Sequence, residues 1–329
     1  MIISFASGKG GTGKTTVATN FALLLAEDNN QKIQFLDCDV EEPNASIFLK
    51  PEITETTPIG IPVPVVDFDK CTYCGKCAEI CAYNAIAVLN PVRYRQSEKK
   101  SNNVAPSTNS SNGAKQDVLM FSELCHGCGG CMLFCPEQAI SEKDREIGII
   151  ENGKVGTIEF TQGKLNVGEP MASPVIREMK RRIRDTEIRR NGEKEKRTLN
   201  HLTIIDVPPG TSCPMIEATK GSDFTVLVTE PTPFGLNDLV LAVETMRKLN
   251  IPIGVVINRS TEGNDKIITT YCDSEGIPIL TRIPMDREIA VAYSKGIPII
   301  HSNDEYRKNF QELHQKIFEA ISEEKRQDE

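Results

Sequence analysis

The feature that most constrains the fold of this chain is the segment 7–16, Ser-Gly-Lys-Gly-Gly-Thr-Gly-Lys-Thr-Thr, which matches the phosphate-loop pattern G-x-x-x-x-G-K-[ST]. The pattern belongs between a buried strand and a helix. Residues 2–6 form an apolar run, and 17–25 carry apolar residues at helical spacing, so both elements are predicted. Backbone N–H groups can wrap a phosphate where glycines let the main chain come close. The predicted nucleotide-binding residues are Gly8, Gly10, Gly11, Thr12, Gly13, Lys14, Thr15 and Thr16.

Two side chains of this loop have a defined chemistry. Lys14 is expected to bridge the β- and γ-phosphates of ATP, and the Thr15 hydroxyl, at the start of the helix, is expected to ligate Mg²⁺. A glycine-rich turn without a ligand is the alternative. The strand and the helix on either side of the loop favour the nucleotide, as ATP or ADP.

Composition sets further limits. The 329 residues are enough for one large α/β domain and a smaller one. No apolar run approaches the ~18 residues of a membrane span and no signal peptide precedes the first strand, so we expect a cytoplasmic protein without a membrane partner. The net charge of −8 argues against nucleic-acid binding. The basic residues of 177–197, Lys180 among them, alternate with acidic ones, as on the solvated face of a helix and loop.

Eleven cysteines without a secretory signal point to metal or redox chemistry. Eight of them form two runs with the spacing C-x₂-C-x₂-C-x₃-C. The runs contain Cys71, Cys74, Cys77 and Cys81, then Cys125, Cys128, Cys131 and Cys135. Three closely spaced thiolates can hold three corners of a 4Fe–4S cluster, and the fourth corner needs a ligand from elsewhere. Zinc sites also use C-x₂-C pairs, but a closed zinc site gives no reason for a third cysteine in each run.

The runs resemble those of bacterial ferredoxins that bind two 4Fe–4S clusters, which implies a small α+β domain with crossed ligands. The resemblance assigns one cluster to Cys71, Cys74, Cys77 and Cys135, and the other to Cys125, Cys128, Cys131 and Cys81. Ala82 departs from the proline that usually follows the fourth cysteine, and this change removes no ligand. The tails 81–86 and 135–140 are alike, so the region contains an internal repeat.

Segments around the runs are also predictable in outline. Residues 96–116 form a low-complexity insertion, expected to be mobile, at the tip of a ferredoxin loop. Prolines at 51, 58, 62 and 64 predict a linker before the first run. Residues 147–160, with Asn152-Gly153 in the middle, predict a hairpin that closes the inserted domain.

Lys9, at the second position of the phosphate loop, resembles the signature of the MinD/ParA-type ATPases. In that family two subunits close over two nucleotides, and this lysine reaches the phosphates of the opposite subunit. The resemblance implies a catalytic role for Lys9 beside Lys14, and an ATP-dependent homodimer or a heterodimer with a paralogue. A solvated surface lysine is the alternative.

The same resemblance gives roles to acidic residues that follow strands, where the ligand edge of a parallel sheet lies. Segment 37–44 resembles the first switch: Asp39 would orient or deprotonate the attacking water, as a catalytic residue, and Asp37 would support Mg²⁺. Segment 206–211 resembles the second switch, in which Asp206 holds Mg²⁺ through water. An acidic solvated loop is the alternative for Asp37 and Asp39.

Three residues near the end of the chain match the base-binding parts of that family. Asn258 matches the residue that reads the adenine edge, and 283–286, with Pro284 and Asp286, resembles the loop that covers the base. A strand that ends in Asn is also common for turn reasons alone. Cys213 lies seven residues after Asp206, where the nitrogenase iron protein carries a ligand to a subunit-bridging cluster, and an idle thiol is the alternative.

The remaining segments alternate between strands and helices. Strands are predicted at 33–36, 201–206, 225–228, 254–257 and 278–280, and helices at 174–184, 235–249, 264–275, 286–295 and 306–321. This predicts an α/β fold, a parallel sheet covered by helices on both faces. The ATPase domain is expected at 1–50 and 170–322, with the ferredoxin-like domain inserted at 65–160.

The leading hypothesis is a dimeric ATPase whose nucleotide state gates electron transfer through two 4Fe–4S clusters to a redox partner protein. A carrier or scaffold for iron–sulfur cluster assembly is a second hypothesis, and the absence of a C-x-x-C pair outside the ferredoxin-like region argues against it. A spatial organiser of membranes or DNA with structural clusters is a third, and the acidic charge argues against it.

Overall fold

A computed structural model describes residues 1–28, 31–89, 117–192 and 201–327, without the side chains of 183–192 and 324–327. The strands are β1 (Ile2–Ala6), β2 (Lys32–Asp37), β3 (Glu52–Val66), β4 (Ile86–Leu89), β5 (Asp117–Met120), β6 (Ile140–Val155), β7 (Ile158–Leu165), β8 (His201–Asp206), β9 (Phe224–Thr229), β10 (Ile253–Ser260) and β11 (Ile279–Pro284). The helices are α1 (Lys14–Ala26), α2 (Ala45–Leu49), α3 (Lys76–Ile80), α4 (Gly130–Leu133), α5 (Ser173–Gly192), α6 (Cys213–Thr219), α7 (Pro233–Lys248), α8 (Lys266–Glu275), α9 (Arg287–Ser294) and α10 (Asp304–Gln327). The predicted insertion at 96–116 and residues 193–197 of the basic stretch lie outside the described residues.

The chain divides into two compact units. The first contains residues 1–59, 148–167 and 171–329, and the second contains 60–147 and 168–170. Among the helices that the structure describes, none combines the length and the apolar character that a membrane span requires.

The first unit is built on a mostly parallel sheet, which confirms the predicted α/β class. Among the described residues, nine strands follow the order β11-β10-β9-β1-β8-β2-β7-β6-β3. Strand β1 lies between β8 and β9 and pairs with both in parallel, and β2 lies parallel to β8 and β7. The carboxyl ends of β1, β2, β8 and β9 therefore meet at one edge, which is where ligands bind in such sheets.

Helices cover both faces of this sheet because successive strand residues point to opposite sides. On one face, Ile3 and Phe5 of β1 join a core with Val17 and Phe21 of α1. The amphipathic helix α10 completes that core through Phe310, Leu313 and Ile317. On the other face, α5 packs on β7, α6 on β1 and α7 on β9.

Two local predictions are wrong. The proposed linker is part of the long strand β3, in which Ile59, Ile61 and Val63 are buried. Their alternation with Pro58, Pro62 and Pro64 is compatible with a strand because β3 ends the sheet order, and proline is tolerated on an edge strand.

The predicted hairpin exists, but Asn152-Gly153 is not its turn. Val155 pairs with Ile158, so the turn contains Gly156, whose φ of 55° suits glycine. The hairpin does not close the inserted region, since β7 pairs in parallel with β2 and extends the sheet of the first unit.

The second unit is small and repeats itself. It contains the antiparallel pair β4–β5 and the short helices α3 and α4, each of which begins after a left-handed glycine, Gly75 or Gly129. Two main-chain hydrogen bonds connect the halves of the repeat. The Asp67 N–H donates to the Ala139 carbonyl at 2.7 Å, and the Phe121 N–H donates to the Ala85 carbonyl at 2.8 Å. Each half is thereby completed by the other.

Candidate functional site

The phosphate loop connects β1 to α1, and its glycines are required by their surroundings. Gly11 and Gly13 have φ of 78° and 89°, which side chains rarely adopt. A Cβ on Gly13 would lie 2.2 Å from the Asn258 amide nitrogen, and one on Gly8 would lie 2.1 Å from the Asp238 carbonyl oxygen. Gly10 and Gly11 are exposed, as an accessible loop requires.

Lys14 lies almost fully buried among acidic side chains. Its Nζ donates to Oδ1 of Asp206 at 2.5 Å and lies 3.7 Å from Oδ2 of Asp39. Burial lowers the pKa of Lys14, but the attraction of Asp206 and Asp39 outweighs it, so the pKa lies above its ordinary value. The ammonium is therefore charged and available to exchange these carboxylates for phosphate oxygens.

The predicted magnesium ligands differ in how many of their oxygens already accept a hydrogen bond. Asp37 is buried, and its oxygens accept from the Ala45 N–H at 3.0 Å and the Asp39 N–H at 3.2 Å, so it holds segment 37–45 in place. Asp206 keeps Oδ2 buried without a hydrogen-bond partner, as does Thr12 its hydroxyl. Unpaired buried oxygens are costly, so these two suit a ligand that completes them, as water on Mg²⁺ or a phosphate would.

Asp39 has a pKa suited to proton transfer. Burial raises the pKa to about 6, against the opposing attraction of Lys14. Burial and the neighbouring Asp206 raise the pKa of Asp37 well above its ordinary range. Of the two, only Asp39 is partly accessible, which fits the predicted base.

Lys9 is held within its own chain. Its Nζ lies 2.5 Å from Oε1 of Glu230, whose Oε2 accepts from Arg259 at 2.9 Å. Burial raises the pKa of Glu230, but the hydrogen bond and charge of Lys9, together with Arg259, lower it below its ordinary value. Glu230 is thus an anion shared between two cations.

The three residues assigned to base binding are placed as follows. The Asn258 amide donates to the Thr12 carbonyl at 2.7 Å, which ties β10 to the phosphate loop. Pro284 ends β11. The Asp286 carboxylate caps α9 through the Glu288 N–H at 2.8 Å, and a hydrogen bond with Tyr306 lowers its pKa further. Their contact with a base stays a prediction.

Thr15 and Thr16 lie in the first turn of α1. Their carbonyls accept from the side chains of Thr19 and Asn20, at 2.8 Å in both cases. Asn20 also accepts from the Ile300 N–H, so this turn is anchored to the core side of the sheet. The Thr15 hydroxyl takes no part in these contacts, and the residue is half-buried.

The eight cysteines of the two runs lie around two cavities in the second unit. One cavity is lined by Cys71, Cys74, Cys77 and Cys135. The other is lined by Cys81, Cys125, Cys128 and Cys131. The structure therefore brings together the same crossed sets of four that the ferredoxin resemblance implies.

Main-chain donors support several of these sulfurs. The N–H groups of Ala85 and Ala139 donate to Sγ of Cys81 and Cys135, both at 3.3 Å, and the Gly127 N–H to Cys125 Sγ at 3.4 Å. Donors of this kind stabilise thiolates, and hydrogen bonds to sulfur tune iron–sulfur clusters. The donors to Cys81 and Cys135 occupy equivalent positions in the two halves, so the repeat extends to the hydrogen bonds at sulfur.

The described residues contain no group of three or more His, Cys, Asp or Glu side chains that could hold a single metal ion. Each cavity is lined by four cysteines, the number of thiolates that hold a 4Fe–4S cluster, so the residues present fit that group. Burial raises the pKa of Cys131 to about 11 and also raises that of Cys77. These thiols would release protons on binding iron.

Of the other cysteines, Cys213 is exposed at the first residue of α6, while Cys38 and Cys272 are buried. Sequence reasoning missed Glu230, although it follows a buried strand as Asp206 does and the same edge rule would have marked it. It also misjudged Lys180, which is 8% exposed and not on a solvated face.

Two proteins of known sequence and one solved structure are similar to this chain over all or part of its length. An uncharacterised protein of Methanocaldococcus jannaschii is 29% identical over 312 residues, which are 92% of this chain and 93% of that protein. The iron-sulfur cluster carrier protein of Aquifex aeolicus is 31% identical over 135 residues, 36% of this chain and 37% of the carrier. The septum site-determining protein MinD of Pyrococcus horikoshii, solved with Mg-ADP, has the same fold: its TM-score is 0.54 at 18% identity, covering 96% of this chain and 95% of that one.

The family is settled by a model described as the CobQ/CobB/MinD/ParA nucleotide binding domain, which matches residues 3–299. That range contains the phosphate loop, both acidic segments and both cysteine runs. The chain belongs to the CobQ/CobB/MinD/ParA nucleotide-binding family.

Proposed function

We propose that this protein is an ATPase whose nucleotide state gates electron transfer through two 4Fe–4S clusters. The observation that carries the proposal is the pair of cavities, each lined by one crossed set of four cysteines, in a chain that also contains a complete phosphate loop. ATP and Mg²⁺ are the expected ligands of the first unit, and the clusters those of the second.

At the nucleotide site, Lys14 would leave Asp206 and Asp39 for the β- and γ-phosphates. Mg²⁺, when bound, would neutralise phosphate charge, with Thr15 and Asp206 as its expected protein ligands. Asp39, freed from Lys14, would orient the attacking water and hold its proton, for which a pKa of about 6 is suitable. Lys9 would leave Glu230 to reach a nucleotide on a second subunit, homodimeric or paralogous, and Arg259 would keep Glu230 paired.

In the second unit, a bound 4Fe–4S cluster would accept and release one electron. The eight thiolates would hold the two clusters, and the N–H groups of Ala85, Gly127 and Ala139 would stabilise charge at sulfur. The protein partner that exchanges electrons with the clusters is expected to be a redox protein.

One main-chain contact of the first unit supports a connection between the two proposed activities. The Leu165 N–H, at the end of β7, donates to the Val40 carbonyl at 2.8 Å, and Val40 lies within the predicted first switch. Three residues later the chain enters the segment 168–170 of the second unit. Movement of the segment around Asp39 would therefore displace the end of β7, just before the chain enters the cysteine-bearing unit.

The ligand sets can be tested by pairwise substitution. After anaerobic reconstitution, the iron content and the spin signal of the reduced protein would be measured for Cys71→Ser, Cys135→Ser and the double variant. We expect the double variant to lose no more iron than either single one, because both residues serve one cluster. Cys71→Ser with Cys81→Ser should lose about twice as much, since these residues serve different clusters. Additive loss in the first pair, or zinc instead of iron, would contradict the proposal.

Gating can be tested separately. The rate of cluster reduction would be compared in Mg-ATP and in Mg-ADP, for the native chain and for Lys14→Ala. A rate that depends on the nucleotide in the native chain, and not in the variant, is expected. Identical rates in both nucleotides, with both clusters present, would leave a plain iron–sulfur ATPase.

A second candidate is a carrier that transfers clusters to other proteins, favoured by the partial match to the iron-sulfur cluster carrier protein of Aquifex aeolicus. Its test is transfer of ⁵⁵Fe-labelled clusters to an apo-ferredoxin with and without ATP. Transfer accelerated by ATP supports the carrier, whereas reversible reduction without loss of iron supports electron transfer.

A further inference from the structure

Lys180, in α5, is a buried lysine whose ammonium is bound by main-chain oxygens of another helix. Its Nζ donates to the carbonyls of Glu217, Ala218 and Lys220 at 2.9, 2.8 and 2.6 Å. These oxygens lie at the carboxyl end of α6. One turn earlier in α5, Arg177 pairs with Glu217 at the surface.

The contact joins α5 firmly to α6 for electrostatic reasons. Carbonyls in the last turn of a helix have no partner within the helix, and the helix end carries partial negative charge. An ammonium has three donors, and here each has an acceptor. Because a buried charge is costly unless it is paired in this way, Lys180 cannot leave α6 without a large penalty.

Helix α6 is in turn attached to the phosphate site. It begins at Cys213, just after the segment 206–212 that starts with Asp206. Within that segment, the Gly210 N–H donates to the Ser7 carbonyl of the phosphate loop at 3.0 Å. A ligand that changes the position of this segment would therefore change the position of α6.

Helix α5 also touches the other acidic segment. A Cβ on Gly163 of β7 would lie within 3.0 Å of the side chains of Val40, Val175 and Met179, so these three meet at one place. Val175 and Met179 belong to α5, and Val40 to the segment 37–44. Helix α5 thus lies beside Val40 of one acidic segment and is bonded to α6, which follows the other. It begins three residues after the stretch 168–170 of the second unit.

We propose that α5 transmits the state of the nucleotide site to the cysteine-bearing unit. Lys180 is the positioning residue that holds α5 to α6. The inference rests on the proposed nucleotide gating and names the part that transmits it. When the segment 206–212 moves with the γ-phosphate, α6 carries α5 with it through Lys180, and the displacement reaches 168–170 along the chain.

The test is hydrogen exchange of residues 168–176, measured in Mg-ADP and in the non-hydrolysable analogue Mg-AMPPNP. We expect the native chain to exchange at different rates in the two nucleotides. Lys180→Met should reduce that difference at least ~5-fold, the lower range of an allosteric coupling, while AMPPNP affinity stays within about twofold. Lys180→Arg, which keeps the charge and the donors, should restore most of the difference.

Arg177→Met is the matched control, because it removes an ion pair between the same two helices at the exposed surface. It should retain the nucleotide dependence. If Lys180→Met does not fold, Lys180→Gln, which keeps two donors without the charge, replaces it. A native difference that persists in full in the folded neutral variant overturns the role of Lys180. The absence of any difference in the native chain overturns the nucleotide gating itself.

Discussion

Gly8 shows how closely single residues are constrained at the phosphate loop. The main chain of α7 approaches Gly8 until a Cβ would lie 2.1 Å from the Asp238 carbonyl oxygen. We expect Gly8→Ala to cost about 1–3 kcal/mol of stability through overpacking, and to displace the loop. The measurement is the thermal midpoint of the nucleotide-free protein. Gly10→Ala is the control, since a Cβ there has open space, and its midpoint should equal that of the native chain.

Glu230 is expected to restrain Lys9 in the absence of a partner subunit. Its removal in Glu230→Gln should raise ATP turnover up to about fivefold, because a partly exposed ion pair holds Lys9 by about 1 kcal/mol or less. Arg259→Gln should act in the opposite direction, since Glu230 would then bind Lys9 alone. Steady-state phosphate release checks both. Changes of the same sign in the two variants would contradict the restraint.

At this scale the sequence predicts ligand-facing residues better than their partners. The phosphate-loop glycines and the acids at strand ends are fixed by motif and by sheet topology, so Lys14 and Asp206 could be placed at the same sheet edge, where they lie 2.5 Å apart. The ion pair of Lys9 with Glu230 joins residues far apart in sequence, and no local pattern connects them. Asp286 illustrates the same limit, because its use as a helix cap depends on where α9 begins.

Among the elements, α10 carries a residue that makes stability depend on pH. His314 packs edge-on against Phe21 and Phe318, and burial lowers its pKa below 6.5 despite the attraction of Asp28. Below pH 6.5 the unfolded chain binds this proton more readily than the folded one, so stability is lost as the pH falls. Urea unfolding at pH 8 and at pH 5.5 should show a smaller loss for His314→Phe than for the native chain. Equal losses would show that this imidazole does not contribute.

The elements of the first unit were largely predictable, because long periodic segments between buried strands leave little choice. The strand at 201–206 and the helices of 233–294 lie within a few residues of their predicted positions. Strand β3 was missed because its prolines outweighed the alternation of Ile59, Ile61 and Val63. The hairpin turn was misplaced because Asn152-Gly153 is a stronger local signal than the Gly156 that the pairing selects.

In the whole molecule, the phosphate loop and the two cysteine runs belong to different compact units of one chain. If nucleotide binding in the first unit is to change cluster reduction in the second, we expect the change to require the metal ion that organises the phosphates. We expect EDTA to abolish the difference between ATP and ADP in the rate of cluster reduction, without lowering iron content. A difference that survives EDTA would mean that the γ-phosphate acts on the protein without the metal, through direct contacts such as the one expected from Lys14.

The crossed repeat of the second unit has a consequence for how it can be made. Each half contributes its last cysteine to the other half's cavity, and one main-chain hydrogen bond runs in each direction. Neither half therefore holds a complete set of four cysteines alone. Two polypeptides would be produced separately, one ending at residue 89 and one starting at residue 117. Neither should bind a cluster individually, and the two should assemble with iron and sulfide when mixed. Brown colour in either piece by itself would show that the halves are independent after all.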